Sequence, residues 1–238
     1  MSKKIVALLP MKANSTRVKG KNFRDFCGKP LFRWILDSLL EVKEIDTVVI
    51  NTDAREILAE NGLVESDRVL IRDRKPEICG DEVSMNLVLA DDIENVDADL
   101  YLMTHTTNPL LSAKTISKAI SEFNNAEMSG TADSLFTVNK IQTRFYREDC
   151  SPVNHDPDNL LPTQDLEPWF EENSNLYLFT KSSFAKTKAR IGAKPMMMES
   201  PAMESSDIDT PDDWDMAVVA TQYFIEKGLI QSLEASKK

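Results

Sequence analysis

The chain has 238 residues, with 39 acidic against 28 basic side chains and a formal net charge of -11 at pH 7. This length is sufficient for one substantial core, whereas the excess of acidic residues argues against broad contact with nucleic acid. Three scattered cysteines without C-x-x-C spacing indicate neither a disulfide framework nor structural zinc, and no apolar run approaches the ~20 residues of a membrane helix, so we expect a cytoplasmic protein without membrane contact.

The first half of the chain alternates short apolar strands with amphipathic helices. Ile5 to Leu9 is a continuous apolar run, typical of a strand that is buried on both faces of a parallel sheet. Apolar spacing predicts further strands at residues 47–51, 69–71 and 99–103, and helices at residues 30–40, 54–61, 84–93 and 114–124. This alternation predicts an α/β fold with a doubly wound, mainly parallel sheet.

The pattern changes after about Gly130. Residues 134–138 and 176–179 are predicted strands, but the polar, proline-containing stretch between them has no helical period. Because long irregular segments are uncommon inside compact domains, we expect residues 131–180 to contain a protruding dimerisation or substrate element of a single domain spanning residues 1–238. A last helix is predicted at residues 212–227, after Thr210 as N-cap, and the methionines at 196–198 are interpreted as packing.

Positive charge is concentrated directly after the first strand. Seven basic residues lie between Lys12 and Arg33, and Asp25 is the single acid among them. In an open α/β sheet, ligands bind beyond the carboxyl end of a strand, where lysine and polar side chains can neutralise a polyphosphate. The dinucleotide fingerprint and the Walker A motif are both absent. The loop predicts a nucleoside triphosphate held largely by side chains, with a solvated basic loop as the alternative.

Negative charge is concentrated late in the chain, where residues 199–215 hold seven acids and no lysine or arginine. In an extended segment Asp207 and Asp209 point the same way, and two carboxylates beside phosphate oxygens suit Mg²⁺. The alternative is an acidic helix start, which explains Asp212 and Asp213 by capping and the helix dipole but does not require Asp207 or Asp209. We therefore predict that the basic and acidic clusters meet across one site.

The two histidines differ in context. His105 follows an apolar strand within the polar residues 104–109, so it is either a hydrogen-bonding group in a pocket or a satisfied histidine at a strand end. His155 lies in a polar loop and receives no role.

Several motifs stand in a fixed order along nearly the whole chain: residues 8–15, Lys21–Asn22, Gly28–Leu31, Asn51–Asp53, Arg74 through Ser84, and Asp207–Thr210. Together they resemble the cytidylyltransferases that make CMP-sialic acid and related CMP-activated acidic sugars. The resemblance implies a nucleotide-diphospho-sugar transferase-like fold and a homodimer. It also implies Mg²⁺-dependent transfer of CMP from CTP to a nonulosonate-type acidic sugar with release of pyrophosphate.

The resemblance also implies roles for the matching residues. The CTP phosphates would be held by Lys12, Asn14, Ser15, Lys21 and Asn22. Arg74 would lie near the cytosine and Ser84 near the ribose or phosphates. Asp207 and Asp209 would bind Mg²⁺ and, with Lys21, form the catalytic set. The sugar pocket would be lined by His105, Thr106, Asn108, Gln164, Glu172, Asn173 and Tyr177.

The chain departs from the family pattern at several positions. Lys12 stands where the family usually has arginine, a change that keeps the charge but loses the bidentate fork. His105 replaces a glutamine of the sialic-acid enzymes, and Leu111 replaces an arginine. Glu171 and Glu172 stand where an arginine usually precedes Asn173. An acidic residue there would repel a substrate carboxylate and favour an amine or hydroxyl. The alternative is that the glutamate points outward and that Lys140, Arg144 or Arg147 binds the carboxylate.

The sequence leaves two other functions open. The acceptor could be a phosphonate or a sugar phosphate, since the nucleotide half matches better than the sugar half. The chain could also be a catalytically silent nucleotide-binding homologue, although the presence of Lys21, Asp207 and Asp209 argues against that.

Overall fold

The computed structural model describes residues 3–230. The strands are β1 (Ile5–Leu8), β2 (Asp25–Phe26), β3 (Lys29–Pro30), β4 (Thr47–Thr52), β5 (Val69–Asp73), β6 (Leu100–Met103), β7 (Ser134–Ile141), β8 (Trp169–Phe179) and β9 (Pro195–Glu199). The helices are α1 (Leu31–Glu41), α2 (Arg55–Glu60), α3 (Met85–Asn95), α4 (Ala113–Met128), α5 (Lys181–Thr187) and α6 (Pro211–Glu226).

Seven strands form the central sheet, in the order β5-β4-β1-β6-β8-β7-β9. Strands β5, β4, β1 and β6 pair in parallel. Strand β8 is antiparallel to β6 and β7, and β9 is parallel to β7. One strand therefore runs against the other six, and the predicted α/β fold with a mainly parallel sheet is confirmed.

The sheet is buried on both faces, as the apolar run of β1 predicts. Ile5 and Ala7 belong to one apolar cluster, with α1 and α4, whereas Val6 and Leu8 belong to another, with α3 and α5. This alternation follows from the two-residue period of a strand. Helices on both faces account for the continuous hydrophobicity of the parallel strands.

A third apolar cluster joins the segment after β1 to the start of α6. Strands β2 and β3 form a hairpin whose two turn residues, Cys27 and Gly28, have φ of 51° and 95°, as a type I′ turn requires. Phe26 of this hairpin packs edge-on against Trp214, with ring centroids 5.2 Å apart. Ile208 is buried in the same cluster. This packing brings the segment between the two predicted metal ligands next to the basic loop.

The structure differs from the predicted elements mainly in its second half. Strands β7 and β8 extend well beyond residues 134–138 and 176–179, and α5, β9 and the β2–β3 hairpin were not predicted. The methionines at 196–198 lie in β9, where Met198 is buried and Met197 is exposed. Residues 142–168 form a long irregular connection, called the arm below, that contains a 3-10 turn at Thr163–Asp165.

Within residues 3–230, no helix combines the length and the apolar character that a membrane crossing requires.

Candidate active site

A polar cleft of about 270 Å³ lies beyond the carboxyl ends of β1 and β6. This is the position at which open α/β sheets bind ligands. The cleft is lined by eight of the residues predicted from the sequence: Lys12, Asn14, Ser15, Lys21, Asn22, Arg74, His105 and Thr106. The basic loop after β1 therefore forms one wall of a cavity.

Lys21 connects the basic loop to the acidic segment. Gly20 has φ of 63° and precedes a 3-10 turn that buries Lys21. The Lys21 Nζ donates a hydrogen bond to the Ile208 carbonyl at 2.5 Å and lies 3.5 Å from Asp209 Oδ1. Burial lowers the pKa of Lys21, and the neighbouring Asp209 charge opposes that shift. The two charge clusters meet at this point, as the sequence predicts.

Asp207 and Asp209 offer oxygen ligands for a cation. Asp207 is half-buried, and its Oδ1 is buried with no hydrogen-bond partner. Burial raises the pKa of Asp207, and the nearby Asp209 charge raises it further. Asp209 accepts a hydrogen bond from Arg17 Nη2 at 3.0 Å. A divalent cation would give the orphaned oxygen a partner and would offset the repulsion between the two carboxylates.

The protein offers a cation few ligands at this position. Among residues 3–230, no three His, Cys, Asp or Glu side chains converge as a metal site. Two carboxylates suffice for Mg²⁺, which keeps several water ligands and takes others from substrate phosphates. The residues present fit that ion when a nucleotide is also bound.

Asn22 and Lys12 hold the loop in different ways. Asn22 is buried, donates through Nδ2 to the Lys12 carbonyl at 2.9 Å and accepts from Thr106 Oγ1 at 2.6 Å. It therefore ties the loop to the residues after β6. Lys12 pairs with the exposed Asp81 across the cleft. Because an exposed ion pair contributes little, a phosphate can replace Asp81 as the partner of Lys12.

Arg74 is held in place by a network of hydrogen bonds that includes the buried Asn51 and Asp92. Its Nε donates to Asn51 Oδ1 at 2.9 Å and its Nη2 to the Asn51 carbonyl at 2.8 Å. The Asn51 Nδ2 donates in turn to Asp92 Oδ1 at 2.8 Å, and Arg72 pairs with Asp92 from the other side. Burial raises the pKa of Asp92 to about 6. Sequence reasoning missed Asp92, because nothing marks this residue of α3 as a partner of β4.

Three further predicted residues lie just after β6 or at the start of α3: His105, Asn108 and Ser84. Burial lowers the pKa of His105 to about 4, with the positive charges of Arg190 and Lys21 adding to the shift, so the imidazole is neutral at pH 7. Asn108 is buried, donates to the Ser206 carbonyl at 3.3 Å and leaves its Oδ1 without a partner. Ser84 is the N-cap of α3 and lines a second hollow rather than the cleft.

Five residues predicted for the sugar pocket do not line the cleft: Asn108, Gln164, Glu172, Asn173 and Tyr177. Asn173 is buried, and its amide is engaged by protein partners: it donates to Asn139 and Ser200 and accepts from Thr137. Gln164 is exposed in the arm, and its carbonyl accepts from Gln142 Nε2 at 3.1 Å. Neither lines the cleft in one copy of the chain.

The second hollow, of about 330 Å³, adjoins the cleft at Met85, which lines both. Here the Tyr177 hydroxyl donates to Glu172, and the Arg190 guanidinium lies 4.0 Å from the centre of the Tyr177 ring. Burial raises the pKa of Tyr177 to about 12. Arg190 Nη2 is 3.4 Å from Glu172 Oε1. Glu172, expected from the sequence to act as a lone negative charge, therefore has a counter-ion.

Comparison with known proteins gives one family. The family described as cytidylyltransferase matches residues 6–217. The chain is 26% identical over 226 residues to CMP-N,N'-diacetyllegionaminic acid synthase of Legionella pneumophila, with 89% of this chain and 93% of that protein covered. It is 24% identical over 222 residues to N-acylneuraminate cytidylyltransferase of Oncorhynchus mykiss, with 90% of this chain but only 49% of that protein covered.

Among solved structures, the fold is similar to that of 4-diphosphocytidyl-2C-methyl-D-erythritol synthase from Anaerococcus prevotii. The TM-score is 0.66 at 14% identity, with 93% of this chain and 97% of that chain covered. At this identity the likeness shows the fold alone.

Proposed function

The chain belongs to the cytidylyltransferase family, and from this premise we propose that it transfers CMP from CTP to an acidic sugar of the nonulosonate type. The observation that carries the proposal is the buried Lys21, which lies between the basic loop and the Asp207–Asp209 segment at the edge of the cleft. The two relatives named above support the acceptor class by their names, one as a CMP-legionaminic acid synthase and one as an N-acylneuraminate cytidylyltransferase.

In this proposal the loop after β1 binds the triphosphate of CTP. Lys12 exchanges its exposed partner Asp81 for a phosphate oxygen, and Asn14 and Ser15 add neutral donors from the same wall. Asn22 acts by holding the loop in shape, because its amide is already engaged by Lys12 and Thr106. Binding therefore needs little rearrangement of the loop, which limits its entropic cost.

The cytosine base would lie near Arg74, and the ribose or phosphates near Ser84. Arg74 is fixed by Asn51 at the ends of β1 and β4, so it offers a rigid edge against which a pyrimidine can be recognised. We assign Ser84 to the boundary between the nucleotide and the sugar, since it lines the adjoining hollow.

Mg²⁺ would be held by Asp207 and Asp209 and, when bound, would neutralise charge on the phosphate oxygens. Lys21 adds a fixed positive charge beside the same carboxylates. In water-poor surroundings such a preorganised charge is worth more than in bulk water, and it needs no reorganisation during the reaction.

The reaction is an in-line displacement. The anomeric hydroxyl oxygen of the sugar forms a bond to the α-phosphorus as the bond from that phosphorus to the bridging oxygen breaks, and pyrophosphate leaves with that electron pair. The hydroxyl proton is lost to solvent or to a neighbouring base. Lys21 and Lys12 offset the charge that builds on the phosphate oxygens, and the protein otherwise positions the two substrates.

The sugar would occupy the region between His105, Asn108 and Tyr177. A neutral His105 can accept or donate a hydrogen bond, and the unpartnered Asn108 Oδ1 can accept one. Asn173 supports this wall from behind, because its amide is fully engaged by its neighbours. Gln164 remains a prediction that requires the arm to approach a cleft.

We also propose a homodimer formed through the arm. The arm and the adjoining start of β8 carry four exposed apolar side chains: Leu160, Leu161, Trp169 and Phe170. Exposed apolar patches of this kind mark interaction surfaces. Light scattering on the purified chain tests the assignment, and a Trp169→Asp variant should shift the mass toward the monomer. A cytoplasmic location suits the three free cysteines.

The acceptor class is tested by pyrophosphate release from CTP with Mg²⁺. Initial rates are compared for N-acetylneuraminic, legionaminic and pseudaminic acids, a sugar 1-phosphate and a reaction without acceptor. We expect release only with the nonulosonic acids. Turnover of the sugar phosphate alone would contradict the acceptor class, and nucleotide binding without turnover of any acceptor would indicate a silent homologue.

A further inference from the structure

The hollow beside the cleft contains a guanidinium that the nucleotide chemistry leaves unused. Arg190 follows α5, whose C-cap residue Lys188 lies in the left-handed region with φ of 57°. The Arg190 backbone N–H donates to Asn86 Oδ1 at 3.3 Å, which holds the segment against α3. The side chain lies over the Tyr177 ring and is only 20% exposed. The guanidinium is therefore held in one place before any substrate arrives.

Most hydrogen-bonding capacity of this guanidinium is unfilled. It has five N–H donors, and within residues 3–230 its one hydrogen-bond partner is Glu172, at 3.4 Å. That distance exceeds the ~2.7–2.9 Å of a strong charge-assisted bond. Arg190 lines the hollow of about 330 Å³ that adjoins the cleft at Met85. A planar anion in the hollow would find donors in the fork geometry that arginine presents to carboxylates.

Arg190 also resolves the charge conflict at Glu172. A lone glutamate would repel a sugar carboxylate, but Glu172 and Arg190 form a pair without net charge, and Arg190 is a cation that lines the hollow. Tyr177 donates its hydroxyl to the same glutamate, so Glu172, which also lines the hollow, is held beside the guanidinium. The charge of Arg190 is also felt at His105 in the cleft, since it contributes to the lowered pKa there.

We propose that Arg190 binds the carboxylate of the sugar acid, with Glu172 and Tyr177 holding its guanidinium in place. The inference rests on the proposed function and deepens it. In this chain the carboxylate-binding cation comes from the segment after α5. The pair Glu171–Glu172, where the resemblance leads one to expect an arginine, supplies the glutamate that orients it.

The test compares Arg190→Gln, Arg190→Lys and the control Lys186→Gln, which removes one exposed positive charge from the neighbouring helix α5. For each variant, KM and kcat are measured with CTP, with the best nonulosonic acid and with its methyl ester. We expect Arg190→Gln to raise the KM for the acid roughly 10- to 100-fold, to leave the KM for CTP within about twofold, and to abolish the preference for acid over ester. Arg190→Lys should restore part of that preference, and Lys186→Gln should behave as wild type.

Other outcomes overturn the assignment in distinguishable ways. If Arg190→Gln keeps the preference for acid over ester, Arg190 does not bind the carboxylate, while the proposed function stands. If wild type uses sugar phosphates and no acid, the proposed function and this inference both fail. Thermal melting of each variant separates these results from loss of the fold.

Discussion

Replacing Lys21 by alanine tests the junction between the basic loop and the acidic segment. The change removes an ammonium that donates to the Ile208 carbonyl at 2.5 Å and lies 3.5 Å from Asp209 Oδ1. Two effects follow. Loss of one preorganised charge at a transferring phosphate should reduce kcat/KM roughly 10²- to 10³-fold, and the buried Ile208 carbonyl, left without a donor, should cost about 1–3 kcal/mol of stability.

Three variants separate these two effects. Lys21→Gln can keep a donor for Ile208 and should recover much of the melting temperature but little activity, because the positive charge is gone. Lys19→Ala is the matched control, since Lys19 is exposed in the same loop and does not line the cleft. Activity is measured as pyrophosphate release, and stability by thermal melting. Near-native kcat/KM for a folded Lys21→Gln protein would refute the catalytic role of Lys21.

Three further predictions address the nucleotide, the metal and the buried polar chain. CTP should be preferred over ATP and GTP in kcat/KM, because the edge formed by Arg74 suits a pyrimidine rather than the larger purine; equal rates with ATP would contradict this. Asp209→Asn should lower turnover roughly 10²- to 10³-fold with unchanged circular dichroism; a near-native rate would show that Asp209 lies outside the site. Removal of Mg²⁺ by a chelator should stop turnover by the wild type reversibly; a near-native rate without the metal would show that the reaction does not need it. The pKa of Asp92 rises from 3.8 to about 6 in the folded state, so the folded protein holds this proton more tightly than the unfolded chain does. The resulting contribution to the unfolding free energy, at most roughly 3 kcal/mol, is fully present below about pH 4 and is lost as the pH rises through 6. The unfolding free energy of wild type relative to Asp92→Asn should therefore fall between pH 4 and pH 6; a constant difference would show that Asp92 does not titrate there.

The first half of the fold follows from local sequence patterns. The predictions for strand β1 and helix α1 agree with the structure to within one residue at each end, because periodic apolar residues dictate which face is buried. The prediction for α4 ends at residue 124 and misses the last turn, which continues to Met128. The second half offered weaker signals. Helix α5 has only seven residues. In β9, Met198 is buried and Met197 is exposed, but three consecutive methionines do not show the alternation of apolar and polar residues that predicts a strand. Their existence depends on pairing with β7 and on packing against the sheet, which no local window contains.

The candidate site divides in the same way. The meeting of Lys21 with the Asp207–Asp209 segment was foreseeable from charge clustering and from the family resemblance. The pairing of Glu172 with Arg190 was not, because a charge 18 positions away in sequence carries no signal of proximity. The sequence therefore predicts a negative electrostatic field at Glu172, whereas the structure places the positive charge of Arg190 beside it. The engagement of Asn173 by Ser200 was hidden for the same reason.

The most direct test of the central claim follows the α-phosphate itself. CTP labelled at the α-phosphorus is incubated with Mg²⁺, the purified chain and a nonulosonic acid, and the products are separated and identified by mass. The account predicts that the label appears in a CMP-sugar phosphodiester, with one pyrophosphate released for each molecule formed. Label that remains in CTP, or that appears only in free CMP or CDP with every acid tried, would contradict the claim that this chain transfers CMP to an acidic sugar.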